Sequence, residues 1–153
     1  MKKEIKLYNV LFPVWMLILF PVTWLVIIPG NFIVDSLVLL ICMKVLKIDG
    51  KKDFYKKNIL KIFALGFLAD IIGSACMFGG LLLADYYNLA DFVMGDEFIL
   101  TIPGLLITAG LIFVLNYFIS FRNCEKPLRL KLSLTFAIAT APYTFLIPSS
   151  WIY

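Results

Sequence analysis

Every lysine and arginine of this chain lies in, or at the edge of, one of three polar segments, which alternate along the sequence with segments that have no cation. Five apolar stretches separate the polar segments: 7–28, 32–46, 62–84, 98–121 and 132–147. If the chain crosses a membrane at each stretch, all 14 cations share one side, and the other side holds Asp85, Asp91, Asp96 and Glu97. Basic residues of short loops stay in the cytoplasm. The sequence therefore predicts an all-α transmembrane bundle of five spans, with the amino terminus inside and the carboxyl terminus outside.

The composition supports a membrane location for the whole chain. Of its 153 residues, 62% are hydrophobic and 16% are charged, and the mean hydropathy is +0.96. Soluble domains are about 25% charged and about 45–50% apolar, and each membrane crossing takes about 20 apolar residues. We predict a single integral membrane domain over residues 1–153, located as a multi-pass protein in the inner or plasma membrane of a bacterial-type cell.

The cations also indicate what the chain contacts. They flank the apolar stretches, so the expected partner is the lipid bilayer with its anionic headgroups on the cytoplasmic side, and not nucleic acid. The predicted headgroup contacts are Lys51, Lys52, Lys56 and Lys57. The segment that carries them, 48–61, is expected either as a short interfacial helix on the leaflet or as a solvated linker.

Two span boundaries carry specific signals. Pro29-Gly30-Asn31 is a tight-turn signal, so the first two spans are predicted to form a hairpin in which Asn31 is the N-cap of the second span. The last stretch, 132–147, is short and is interrupted by Pro142. A re-entrant segment, which leaves four spans, is the alternative there, because broken helices are tolerated where protein buries them.

The residue types limit the chemistry. The chain has no histidine, its three cysteines show no metal-binding or redox spacing, and it has no glycine-rich phosphate loop. We therefore assign no catalytic residue, no metal and no cofactor, and expect a protein that is not an enzyme.

Asp70 is the most informative polar residue inside a span. It follows Lys61 by nine residues, which places it about 13 Å along a helix, near the middle of the bilayer. An acid at that depth must face protein or water. It is either a protonatable or cation-binding group that lines a path, or an acid that hydrogen-bonds a neighbouring helix. The candidate partners are Asn116, Thr108, Thr140 and Tyr143, of which Asn116 is assigned to the same intramembrane polar site.

Asp35 is the second acid within a span, about one turn into the second stretch. It is either a solvated acid near a helix end, where the helix dipole favours negative charge, or a second station beside Asp70. The latter requires that the second and third spans be adjacent.

Glycines define a packing face on the third span. Gly66, Gly73 and Gly80 recur every seven residues and share a helical face with Asp70. Small residues allow another helix to approach closely. The face is expected to pack within the chain, with self-association or docking to a larger membrane partner as the alternative.

Three functional hypotheses follow. The first is a small transporter, channel-like component or accessory subunit that uses Asp70. The second is a structural or partner-binding subunit, assembled through the glycine face, as a homo-oligomer or with another protein. The third is an intramembrane lipid-modifying enzyme, which would depend on Asp35 and Asp70 as a carboxylate pair.

Overall fold

The computed structural model describes residues 14–89, 92–93 and 98–147, and these residues form helices and connections without any strand. The four α-helices are α1 (Trp24–Val45), α2 (Lys51–Tyr86), α3 (Phe98–Leu115) and α4 (Lys126–Ala139). A π-helical turn, Asn116–Ser120, continues α3. The described ranges also contain three short 3₁₀ segments, Val14–Leu19, Pro21–Thr23 and Tyr143–Leu146, and residues 92–93 are helical as well.

Within the described ranges, three helical segments are long and apolar enough to cross a membrane: Pro21–Val45, Lys51–Tyr86 and Phe98–Ser120. Large apolar side chains remain exposed along them, such as Leu25, Val26 and Leu106. Exposed apolar side chains on helices of this length are typical of a lipid-facing surface. The chain therefore has the architecture of an α-helical membrane protein.

The hairpin predicted at Pro29-Gly30-Asn31 is wrong, because α1 runs without interruption from Trp24 to Val45. The predicted division between a span at 7–28 and a span at 32–46 therefore does not exist, and Asn31 is not an N-cap. Membrane helices tolerate proline in their interior where neighbouring groups compensate. The helix breaks earlier, at Phe20, where the Thr23 hydroxyl donates to the Phe20 carbonyl at 2.6 Å. The rest of the predicted first span, residues 7–13, lies outside the described residues.

The lysine-rich segment after α1 is the start of α2. The predicted solvated linker is wrong, because residues 51–61 are helical; they belong to the continuous α2 instead of a separate short helix, and apolar side chains among them pack on the protein. Phe54 stacks on Phe121 with 6.5 Å between ring centroids, and Ile59 is buried. The Tyr55 hydroxyl donates to Ser36 Oγ at 2.9 Å. With 36 residues, α2 is about 54 Å long, so it extends well beyond a hydrocarbon core of about 30 Å.

The last predicted span, 132–147, is helical only as far as Ala139, where α4 ends. The chain then passes through Thr140 and Pro142 into the 3₁₀ turn of Tyr143–Leu146. This region is not among the segments long and apolar enough to cross a membrane by themselves. It packs along α3, and Phe145 is buried against Met77 of α2.

Helix α2 lies at the centre of the bundle, in contact with both α1 and α3. The larger core cluster lies toward the lysine-rich end and draws on all four helices; its fully buried members include Leu39, Ile62, Ile112 and Phe136. A smaller cluster of Met16, Met77 and Phe145 lies toward the other end of α2.

The contact between α2 and α3 depends on two glycines. A Cβ at Gly73 would overlap Thr108 Oγ1 and would lie 3.1 Å from Thr108 Cβ, and a Cβ at Gly104 would overlap Met77. Each helix therefore presents a glycine to a side chain of the other. Close approach of this kind is what holds membrane helices together in the absence of a hydrophobic driving force.

We expect Gly73→Ala to lower the stability of the fold, because the added methyl group forces α2 and α3 apart. Overpacking of this kind costs about 1–3 kcal/mol. Thermal unfolding in detergent micelles measures the loss. Gly79→Ala is the matched control on the same helix, since a Cβ at Gly79 meets nothing within 4 Å. Equal unfolding temperatures for the two variants would contradict the proposed contact.

Candidate functional site

A polar cavity lies between α1 and α2. Its volume is about 30 Å³, and it is lined by Asn31, Val34, Asp35, Gly66, Phe67, Asp70 and Thr140. About 10–15 Å³ of such space accommodates one water molecule, so the cavity has room for roughly two. Two acids from different spans therefore share one small enclosure.

The spacing of residues on α1 explains how that helix contributes. Asn31 and Asp35 are four residues apart, so they lie on the same helical face. Asn31 Nδ2 donates to Asp70 Oδ2 at 3.2 Å, which joins α1 to α2. The continuity of α1 through Pro29 is what keeps both side chains directed toward α2.

On α2, the residue one turn before Asp70 is small and leaves room for a side chain of α1. Gly66 is four residues before Asp70, and Asp35 Oδ2 lies 3.7 Å from the position that a Cβ of Gly66 would occupy. The small residue thus leaves room for the Asp35 carboxyl group beside Asp70. Both carboxyl groups therefore line the same cavity.

Both acids are deeply buried and the site has no basic side chain. Only 4% of Asp35 and 7% of Asp70 are exposed. Asp70 Oδ1 has no hydrogen-bond partner among the described residues. A buried polar atom without a partner typically costs about 1–3 kcal/mol, and a charged one costs more. The cavity is therefore an environment that favours the arrival of a positive charge.

Of the four residues proposed from the sequence as partners of Asp70, only Thr140 lines the cavity. All four polar side chains donate to nearby backbone carbonyls: Thr140 to Phe136 at 2.8 Å, Thr108 to Gly104 at 2.8 Å, Asn116 to Ile112 at 3.0 Å, and Tyr143 to Ile138. Asn116 is buried within the π-helical turn, and its amide oxygen has no partner in the described part of the chain. The structure does not bring it to Asp35 and Asp70.

Asn31 is the site residue that the sequence interpretation missed. Its position four residues before Asp35 was visible, but the turn signal of Pro29-Gly30 assigned it to a helix end instead. The spacing of four residues already puts Asn31 on the same helical face as Asp35; its hydrogen bond to Asp70 is what the sequence does not reveal.

The glycine face of α2 is covered by other helices of the same chain. Gly66 faces Asp35 of α1, Gly73 faces Thr108 of α3, and a Cβ at Gly80 would lie 3.0 Å from Leu100 of α3. This arrangement favours packing within the chain over docking of a partner on this face.

Two further observations bear on ligands. The four lysines predicted to contact headgroups, Lys51, Lys52, Lys56 and Lys57, are all exposed on the first turns of α2. In the ranges that the structure describes, no group of three or more His, Cys, Asp or Glu residues is placed to hold a metal ion.

Comparison with known proteins gives no further guide to the function. No family model matches the chain, no curated protein matches it, and no solved structure matches its fold.

We expect Asn31→Ala and Asp70→Ala to be energetically coupled, because each removes one partner of the same hydrogen bond. Contacting residues typically show coupling of about 0.5–3 kcal/mol in a double-mutant cycle, measured here from the unfolding free energies of both single variants and the double variant. Asn58→Ala is the control, because Asn58 donates to Phe54 within its own helix. Its cycle with Asp70→Ala should be additive; additivity for Asn31 as well would count against the bond.

Proposed function

We propose that this protein is a small transporter, or a subunit of one, in which Asp35 and Asp70 together bind one monovalent cation within the membrane. The cation is a proton or a sodium ion. The observation that carries the proposal is the Oδ1 atom of Asp70, which has no partner among the described residues and lies in a cavity of about 30 Å³ shared with a second buried acid.

The energetics of the bilayer support a cation over a purely structural role. Ionised acids within a membrane are expensive, by about 2.5–3.5 kcal/mol on insertion scales, and are retained chiefly at ion and proton pathways. A single acid hydrogen-bonded to a neighbouring helix would satisfy a structural role. A second acid beside it adds a desolvation cost without adding a hydrogen bond. A positive charge shared by the two carboxyl groups would offset the cost of burying both.

The ligand atoms also fit a small hard cation. The carboxyl groups of Asp35 and Asp70, the amide of Asn31 and the hydroxyl of Thr140 are all oxygen donors to such an ion. Thr140 follows the last residue of α4, where the helix is broken. Interrupted helices at membrane depth are a recurrent element of ion sites in transporters, because they free backbone carbonyls to face a cavity.

The distribution of cations supports an orientation for this function. Seven lysines lie between Lys44 and Lys61, where α1 connects to α2, and four cations lie between Arg122 and Lys131, where α3 connects to α4. Asp85 is at the opposite end of α2. We therefore assign the lysine-rich end to the cytoplasm, in a bacterial-type cell membrane.

The number of crossings belongs to the same proposal. We retain five, with the first boundary at Phe20 instead of Pro29–Asn31, and with α4 and Tyr143–Leu146 leading to an extracytoplasmic carboxyl terminus. Lys2, Lys3 and Lys6 then join the cytoplasmic cations. These three residues lie outside the described part of the chain.

The two other hypotheses have less support. A partner or second copy docked on the glycine face would have to displace α1 and α3, which already cover it. A lipid-modifying enzyme needs a site that admits a headgroup, and ligand pockets for molecules of that size are about 300 Å³ or more. The acid cavity is a tenth of that volume.

We expect Asp70→Asn and Asp35→Asn to abolish cation flux, because an amide resembles the acid in size but carries no charge. Purified protein is reconstituted in vesicles, and the internal pH and internal sodium are followed with ion-sensitive dyes after a gradient is imposed. Flux through both variants should fall to the background of protein-free vesicles.

Asp85→Asn is the matched control, since Asp85 is exposed at the end of α2 and does not line the cavity. Its flux should equal that of the native chain. Native vesicles that pass neither ion would contradict transport by this chain alone, and undiminished flux through Asp70→Asn would contradict the role of its carboxyl group.

A further inference from the structure

A second, larger cavity opens at the lysine-rich end of the bundle, on the side of α2 and the turn that follows α3. Its volume is about 370 Å³, and it is lined by Lys61, Phe118, Ile119, Arg122 and Asn123. It differs from the acid cavity in size and in charge, and it does not share a residue with that site. Its volume falls in the range of pockets that hold small ligands.

Two cations from different elements converge on this cavity, Lys61 from α2 and Arg122 from the connection between α3 and α4. No carboxylate lines it, and neither cation has an ion-pair partner within residues 14–89, 92–93 and 98–147. Lys57 lies one turn before Lys61 on the same helical side and adds positive charge nearby. The cavity therefore presents uncompensated positive charge together with the amide of Asn123.

The neighbouring Arg129, unlike Arg122, is held by contacts within the protein. The Arg129 guanidinium stacks over the ring of Tyr117, with Cζ 3.9 Å from the ring centroid, and its Nε donates to the Tyr117 carbonyl. This contact holds the π-helical turn Asn116–Ser120, and π-helical turns are frequent at functional sites. The turn carries Phe118 and Ile119 to the cavity and ends just before Arg122.

The apolar part of the lining indicates that the ligand is a lipid and not a soluble anion. Phe118 is 60% exposed and Ile119 is 48% exposed, beside the two cations. Lys61 is the last lysine of α2, directly before the apolar part of that helix. With the lysine-rich end at the cytoplasmic surface, as proposed above, the cavity lies at the level where headgroups meet acyl chains. It combines positive charge with exposed apolar surface. A soluble phosphate would use only the charged half of this lining.

We propose that this cavity binds one anionic phospholipid of the cytoplasmic leaflet. Lys61 and Arg122 contact the phosphodiester, for which the planar guanidinium offers paired donors, and the Asn123 amide donates to the headgroup. The acyl chains lie against Phe118 and Ile119. Basic pockets between membrane helices at the cytoplasmic side are known to recognise headgroups in this way.

Native mass spectrometry of the full-length protein tests the proposal. The protein in detergent micelles is titrated with phosphatidylglycerol, phosphatidylcholine or inorganic phosphate. We expect one phosphatidylglycerol to bind in preference to phosphatidylcholine, and inorganic phosphate not to compete at equal concentration. Lys61→Gln and Arg122→Gln should each weaken phosphatidylglycerol binding about fivefold, which corresponds to the loss of one cation near the lipid phosphate.

Lys51→Gln is the control, because it also removes one positive charge near the same end of the protein. Lys51 is exposed and does not line the cavity. It should retain native affinity. Arg122→Lys, which keeps the charge but loses the paired donors, should bind with intermediate affinity. Equal binding of the two lipids, an equal loss in Lys51→Gln, or preferential binding of free phosphate would each overturn the proposal. Far-UV circular dichroism verifies that every variant is folded.

Discussion

The hydrogen bond between Asn31 and Asp70 is the interaction on which the arrangement of the first two helices depends. Polar side chains within hydrocarbon must find partners inside the protein, and Asp70 finds its partner on α1. In the continuous α1, Asn31 and Asp35 lie on one helical face, and that face meets Asp70 of α2.

The glycine contact between α2 and α3 complements this bond on the other side of α2. Gly73 and Gly104 bring the two helices close enough for Thr108 and Met77 to fill the space between them. Helix α2 is thus fixed between α1 and α3, with its polar face directed inward. The break after α4 then brings Thr140 to the cavity, so three separate parts of the chain enclose the two carboxyl groups.

The positions of the apolar segments could largely be predicted from the local sequence. The contacts between them could not, because they depend on which segments meet. The apolar stretches follow from length and composition, and the predicted stretch at 98–121 nearly coincides with the helical segment Phe98–Ser120. The turn signal at Pro29-Gly30-Asn31 misled because it is a rule from water-exposed chains. Within hydrocarbon, an interrupted helix exposes backbone groups that nothing satisfies.

The partners of Asp70 and of the lysine-rich segment were missed for a different reason. Asn31 lies 39 residues from Asp70 along the chain, and Phe54 packs on Phe121, which directly follows the π-helical turn at the end of α3. Spacing within one segment identifies a face, but it does not identify what that face meets. The acid pair could thus be named from the sequence, although its shared cavity could not.

Modification by a hydrophobic carbodiimide is the sharpest test of whether the paired acids hold a positive charge inside the membrane. Hydrophobic carbodiimides react with protonated carboxyl groups that are shielded from water, and mass spectrometry of the purified protein locates the modified residue. We expect modification at Asp70 or Asp35, with protection by sodium if the bound ion is sodium and no protection if it is a proton. Modification confined to exposed acids such as Asp85, with both buried acids unreactive at every pH and sodium concentration, would rule out a charge held by the acid pair.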